Sequence, residues 1–94
     1  MGKWRYVLKN GKALRSAIAD GDYYDIVDIL EHCFKELNRA LPDDYDEAEL
    51  ERDLEDIEIL RENIDDGDAD EDDIDYKLSE FYDLCDGLRV WVDL

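Results

Sequence analysis

Between Asp43 and Asp75 the sequence DDYDEAELERDLEDIEILRENIDDGDADEDDID sets 19 carboxylates against two arginines. A segment this charged can bury only its few apolar residues, so those must share one side of whatever element it forms. They recur at helical spacing. Leu50, Leu54, Ile57, Leu60 and Ile64 fall every three or four residues, which predicts a helix from about Tyr45 to Asn63 with these five inward. Asp44 with Glu47 three residues later has the form of a capping box, and acids in a first turn oppose the positive end of the helix dipole. Asp65 to Asp72 holds Gly67 and almost nothing apolar, and is expected to be a loop. Ile74, Leu78, Phe81 and Cys85 then predict a last helix from Asp73 to about Asp86, closed by Gly87.

The remaining chain supplies the scaffold. Ile26, Val27, Leu30, Cys33, Phe34, Leu37 and Leu41 form an apolar stripe that predicts a helix from Tyr23 to about Ala40. Pro42 ends it, because the residue before a proline is pushed out of the helical region. A shorter helix, Lys12 to Ala19, precedes it with Leu14, Ala17 and Ile18 on one face. Gly21 stops that helix and Asp22 caps the next one. The pair has the rhythm of an ankyrin-type hairpin, but no second copy follows, so it reads as a single tight helix hairpin. Trp4, Tyr6 and Leu8 alternate with Lys3, Arg5 and Val7, and Leu88, Val90 and Val92 with Arg89, Trp91 and Asp93. This period of two predicts a short strand at each end, able to pair and so to bring the termini together. The expected fold is mainly α: one compact four-helix domain over residues 1–94, with an acidic loop at about 65–72 and paired terminal strands.

Charge divides the chain unevenly. Residues 1–42 carry seven basic and six acidic side chains, residues 43–94 carry four and 23, and the total is −18. The larger part repels nucleic acid and anionic membrane and attracts basic surfaces, through a field that salt screens over about 8 to 10 Å. No apolar run of 18 residues exists, and MGKWRYVLKNGK lacks a secretory apolar core, so a soluble, cytoplasmic protein is expected. Tyr6 stands where a myristoylation signal needs Ser or Thr. Cys33 and Cys85 sit among apolar helical positions and read as reduced core thiols.

Catalytic chemistry finds little footing. His32 is the only histidine, and a helix turns it about 100° away from Cys33, so the two do not form a nucleophile and base. Asp28 and His32, at i and i+4, could supply two metal ligands, but further ones would have to come from elsewhere. Paired carboxylates work as acid and base only when their surroundings differ, and a solvated helix face gives all of them similar surroundings. Neither G-x-S-x-G nor a phosphate loop is present. No enzyme activity and no cofactor is expected. Asp66, Asp68, Asp70 and Asp72 alternate like the start of a calcium loop, yet Glu71 or Asp73 falls where Gly is required, and Lys77 or Ser79 where Glu is required. Binding of a divalent cation such as calcium by this loop is therefore kept as an alternative on charge alone.

The positive expectation is electrostatic. Residues 43–63 carry 11 acids against Arg52 and Arg61. Spread over about 30 Å of helix, that net charge approaches the phosphate density of one DNA strand, roughly one per 3.4 Å. The partner implied is a basic protein surface, in particular that of a nucleic-acid-binding protein, rather than nucleic acid itself. Glu49, Asp53, Asp56 and Glu58 of the helix and Asp68, Asp70 and Asp72 of the loop are the candidate docking residues.

With W-R-Y-V-L-K-N-G-K near its start, an acidic body and the ending L-R-V-W-V, the chain resembles small acidic accessory proteins of phages and prophages of low-GC Gram-positive bacteria. Some such proteins occupy the DNA- or RNA-binding surface of a host protein. The resemblance implies an accessory role of that kind or, as an alternative, a structural role through self-association. Apart from the resemblance, a self-associating chain is expected to bury Trp91, Val7 or another exposed apolar group across a symmetric contact. The resemblance assigns no functional residue and leaves the oligomeric state open.

Overall fold

Helix α2 (Tyr23–Ala40) is the axis on which the other helices are laid, in the computed structural model that describes residues 4–92. Its apolar stripe is the reason. Val27, Leu30, Cys33 and Leu37 are fully buried, and α1 (Gly11–Asp20), α3 (Glu47–Asp65) and α4 (Glu71–Leu88) each pack against it. Phe34 anchors the centre, edge to face with Phe81 at 5.0 Å and stacked on Tyr45 at 6.5 Å. Among the described residues the chain is thus mainly α, with four helices and two short strands.

Those strands, β1 (Tyr6–Val7) and β2 (Val90–Trp91), pair in parallel with Tyr6 opposite Val90 and Val7 opposite Trp91. A parallel pair needs a long crossover, and here the four helices provide it. Backbone bonds from Arg5 N to Arg89 O at 2.7 Å and from Leu8 N to Trp91 O at 2.9 Å extend the pairing. Tyr6, Leu8 and Val90 face the helices while Val7 and Trp91 face out, as the alternation predicts. Lys3 and Asp93, at the outer ends of the two expected strands, lie outside the described residues.

Local signals fix the first helix pair. Gly21 takes the left-handed conformation at φ 73° and closes α1 by donating to the Ala17 and Ile18 carbonyls. One residue later the Asp22 carboxylate accepts from Tyr24 N at 3.0 Å and starts α2. Glu36, on α2 and only 5% exposed, ties down the β1–α1 turn. It accepts from Tyr6 Oη at 2.5 Å, Lys9 N at 2.7 Å, Asn10 N at 3.1 Å and Asn10 Nδ2 at 2.7 Å. Burial, the largest single influence, raises its carboxyl pKa, but these four donors together outweigh burial and hold it below the usual glutamate value.

Two helix ends differ from the expectation. Asp44 does not cap α3. Its N–H and that of Tyr45 both donate to the Leu41 carbonyl, which folds residues 41–45 into a turn and drives Tyr45 into the core at 1% exposure. The helix begins only after it, capped by Asp46 accepting from Ala48 N, while Asp44 pairs with Arg5 at 2.6 Å. The expected capping box fails because burying Tyr45 against Phe34 outweighs a local side-chain bond. At the far end, Gly87 does not close α4. The helix continues to Leu88, which packs on the core, and Arg89 takes the left-handed turn at φ 60°. The backbone bond from Arg5 N to Arg89 O fixes the turn there.

Candidate interaction surface

The acids of α3 sort into two edges according to what faces them. Along the edge toward α4, Lys77 rises from α4 and is 3% exposed. Its Nζ donates to Asp53 Oδ1 and Asp56 Oδ2, both at 2.9 Å, reaches Glu80 Oε2 at 3.5 Å, and lies 5.4 Å from the centroid of the Phe34 ring. The Tyr45 hydroxyl donates to the other oxygen of Asp53. Three protons on one ammonium match three carboxylates, and the aromatic face adds a cation–π contact. Burial is the largest influence on Lys77 and disfavours its charge, yet the bonds and charges of Asp56 and Asp53 override it and raise its pKa above the usual lysine value. Tyr45 is raised as well, by burial first and then by its bond to Asp53.

Arg61 points the other way. Its guanidinium meets Glu31 at 3.0 Å and Asp28 at 3.4 Å on α2, and its Nε is buried without a hydrogen-bond partner. The Glu31 carboxyl is held below its usual value: burial, the largest single influence, raises it, but the bonds and charges of Arg61 and then Lys35 together outweigh burial.

The solvent edge is different. Glu51, Glu55, Glu58 and Glu62 descend it at steps of four, three and four residues, and all are exposed. Among the described residues, none of the four is in an ion pair. Glu62 and Asp65 also occupy the last turn of α3, where no basic residue offsets the negative end of the dipole.

The seven candidate docking residues therefore have unlike surroundings. Glu58 belongs to the bare edge, and Glu49 is exposed at the α4 side. Asp53 and Asp56 are engaged by Lys77. In the loop, which spans only 66–70, Asp68 is exposed, while Asp70 caps α4 by accepting from Asp72 N at 2.9 Å and Asp72 lies in the first turn. Glu51, Glu55 and Glu62 were not among the candidates. Centring the helix on Ile57 would have exposed their common line, since they stand opposite the buried arc of Ile57 and Leu60.

Other side chains fill supporting places. His32 is exposed with Nε2 3.9 Å from Asp28. Cys33 and Cys85 are buried free thiols, each pushed up to about 12, chiefly by burial. Among the described residues, no three His, Cys, Asp or Glu are grouped to hold a metal ion, and no helix is long and apolar enough to cross a membrane.

Helices α3 and α4 both lie on α2, and where they face each other they are bridged by Lys77 with an open cleft to either side of it. It holds about 420 Å³ at the end floored by Phe34 and Tyr45 and about 260 Å³ at the end between Ile59 and Tyr76. Asp56 and Glu80 line both parts, which meet where Lys77 bridges these two residues.

Fold and surface together define a small acidic α domain in which Lys77 engages one carboxylate edge of α3, while the other, among the described residues, is in no ion pair. No family model, no curated protein and no solved structure matches this chain.

Proposed function

We propose that the protein is a non-enzymatic interaction module whose acidic surface docks on a basic partner protein, in the manner of a nucleic-acid mimic. The observation that carries this reading is the bare edge of α3. Glu51, Glu55, Glu58 and Glu62 are placed where they lower helix stability, since like charges four apart repel and acids at a helix C-terminus oppose the dipole. Local rules broken without a structural return are characteristic of functional surfaces. The edge spans about 16 Å, at 1.5 Å per residue, so its charges are spaced more widely than the phosphates of one strand, roughly 3.4 Å apart. The mimicry is one of sign and line rather than of full density. Charge of this kind acts chiefly on association rate and partner choice. A cytoplasmic accessory role of the phage type fits the same surface.

The test is capture of a partner from cell lysate at low salt, then titration of the recovered protein against wild type and against a variant with all four glutamates changed to Gln. A basic partner is expected, released by salt, displaced by duplex DNA and weakened by the variant. An affinity indifferent to both salt and the variant would sink the reading.

A second reading rests on a separate observation. Val7 and Trp91, 60% and 44% exposed, face each other across the strand pair. This apolar spot near Arg5 and Lys9 suits self-association, which sedimentation at high salt would detect and a clean monomer would remove.

A further inference from the structure

We infer that the cleft between α3 and α4 is a helix-docking groove, and that its occupant is a cationic amphipathic helix presented by the partner protein. This rests on the basic-partner reading and names the element recognised. The walls have the right period. On α3, Asp56, Ile59 and Asn63 follow at steps of three and four, and on α4 so do Asp73, Tyr76 and Glu80. Two antiparallel helices seated on a third present a seam into which another helix packs ridge into groove, opposite α2, to complete a four-helix arrangement. The apolar element is real: Ile59 is 55% exposed and Tyr76 69%, and both border the same cleft.

Charge selects among occupants. The cleft walls carry six carboxylates against Arg52 and Lys77. A second copy of a chain with net charge −18 meets repulsion there, whereas a helix with leucines on one face and lysines or arginines flanking them satisfies both the apolar centre and the acidic rims. Lys77 is 3% exposed, so its ammonium lies beneath the cleft surface, bonded to Asp53, Asp56 and Glu80 over the Phe34 ring.

The probe is a synthetic helical peptide of about four turns, roughly 20 Å long, with Leu at i, i+3, i+4 and i+7 and Lys elsewhere. A scrambled peptide of identical composition is the comparison. At 0.15 M salt, roughly the physiological ionic strength at which surface charge is well screened, the ordered peptide is expected to bind about tenfold or more tighter. Its amide shifts should concentrate at residues 56–63 and 73–84. Ile59→Ser with Tyr76→Ser, both at exposed positions and checked for folding by circular dichroism, is expected to abolish that difference while leaving the scrambled peptide's affinity unchanged. Equal binding of the two peptides, or shifts confined to the Glu51–Glu62 edge, overturns the groove and leaves the basic-partner reading standing. No binding of either peptide even at low salt overturns both.

Discussion

Glu55 and Asp56 are adjacent in the chain and both are acidic, yet they belong to different parts of the molecule. Asp56 meets Lys77 at 2.9 Å on the inner edge of α3, and Glu55 stands exposed on the outer edge, in no ion pair among the described residues. Along one helix the acids therefore divide into a set tied to Lys77 and an exposed set in no ion pair among the described residues. A net charge of −18 does not distinguish the two; only the cations on neighbouring helices do.

Removing the cation is expected to break the inner set most severely. Lys77→Ala should cost about 3 kcal/mol in chemical denaturation, the lower end for breaking a buried ion pair. The lower end applies because Asp56 and Glu80 are 56% and 42% exposed and can turn to water. A loss below about 1 kcal/mol, typical of surface pairs, would mean that the two edges of α3 do not differ.

Asp53→Asn comes next. It leaves Lys77 with weaker acceptors and disturbs the Tyr45 hydroxyl, and about 1 to 3 kcal/mol is expected for such a buried charge-assisted bond. Tyr45→Phe, which keeps the ring on Phe34 and removes only the hydroxyl, should cost about 1 kcal/mol. That order separates the contribution of the Lys77 charge from that of the Tyr45 hydroxyl at the same carboxylate.

Glu36 sharpens the contrast through pH, because it is a buried acid met by neutral donors rather than by a cation. Its folded pKa is depressed below the ordinary 4.5. The stability it contributes is therefore present above that value and lost as pH falls through the folded pKa. In urea titrations across the acid range, Glu36→Gln should be less stable than wild type near neutrality and show a flatter acid limb. An unchanged acid slope would mean that the β1–α1 turn is held by the backbone alone.

What could be read from the sequence was local. Gly21 and Asp22 divide α1 from α2 through bonds to residues two to four positions away, and the apolar stripe of α2 needs only its own period. Lys77, Glu36 and Tyr45 obey other rules. Lys77 reaches Asp53 and Asp56 across 24 and 21 residues, and Glu36 reaches the turn across 26 to 30. No propensity describes such convergence. One signal was nevertheless present: Lys77 falls three after Ile74 and four before Phe81, inside the buried stripe of α4, where a lysine must find carboxylates or leave the core. Gly87 misled for the converse reason. It looks like a helix stop, but the apolar Leu88 beyond it holds the helix one turn position longer, and a non-glycine residue takes the left-handed end.

The smallest effect has the opposite sign and separates the two edges most cleanly. Glu62→Lys places a cation four residues after Glu58 and in the last turn of α3. Glutamate preceding lysine by four is the favourable orientation, and a positive charge there complements the dipole, so a gain of about 0.5 to 1 kcal/mol is expected. High salt should shrink that gain, since both contributions are screened surface electrostatics. The same substitution reverses one of four charges on the docking edge, so affinity for the basic partner should fall while thermal stability rises. Such opposed changes are expected where stability has been given up for binding. If Glu62→Lys stabilises the fold and leaves partner affinity untouched, the outer edge serves solubility alone and docking must lie on the cleft side of α3.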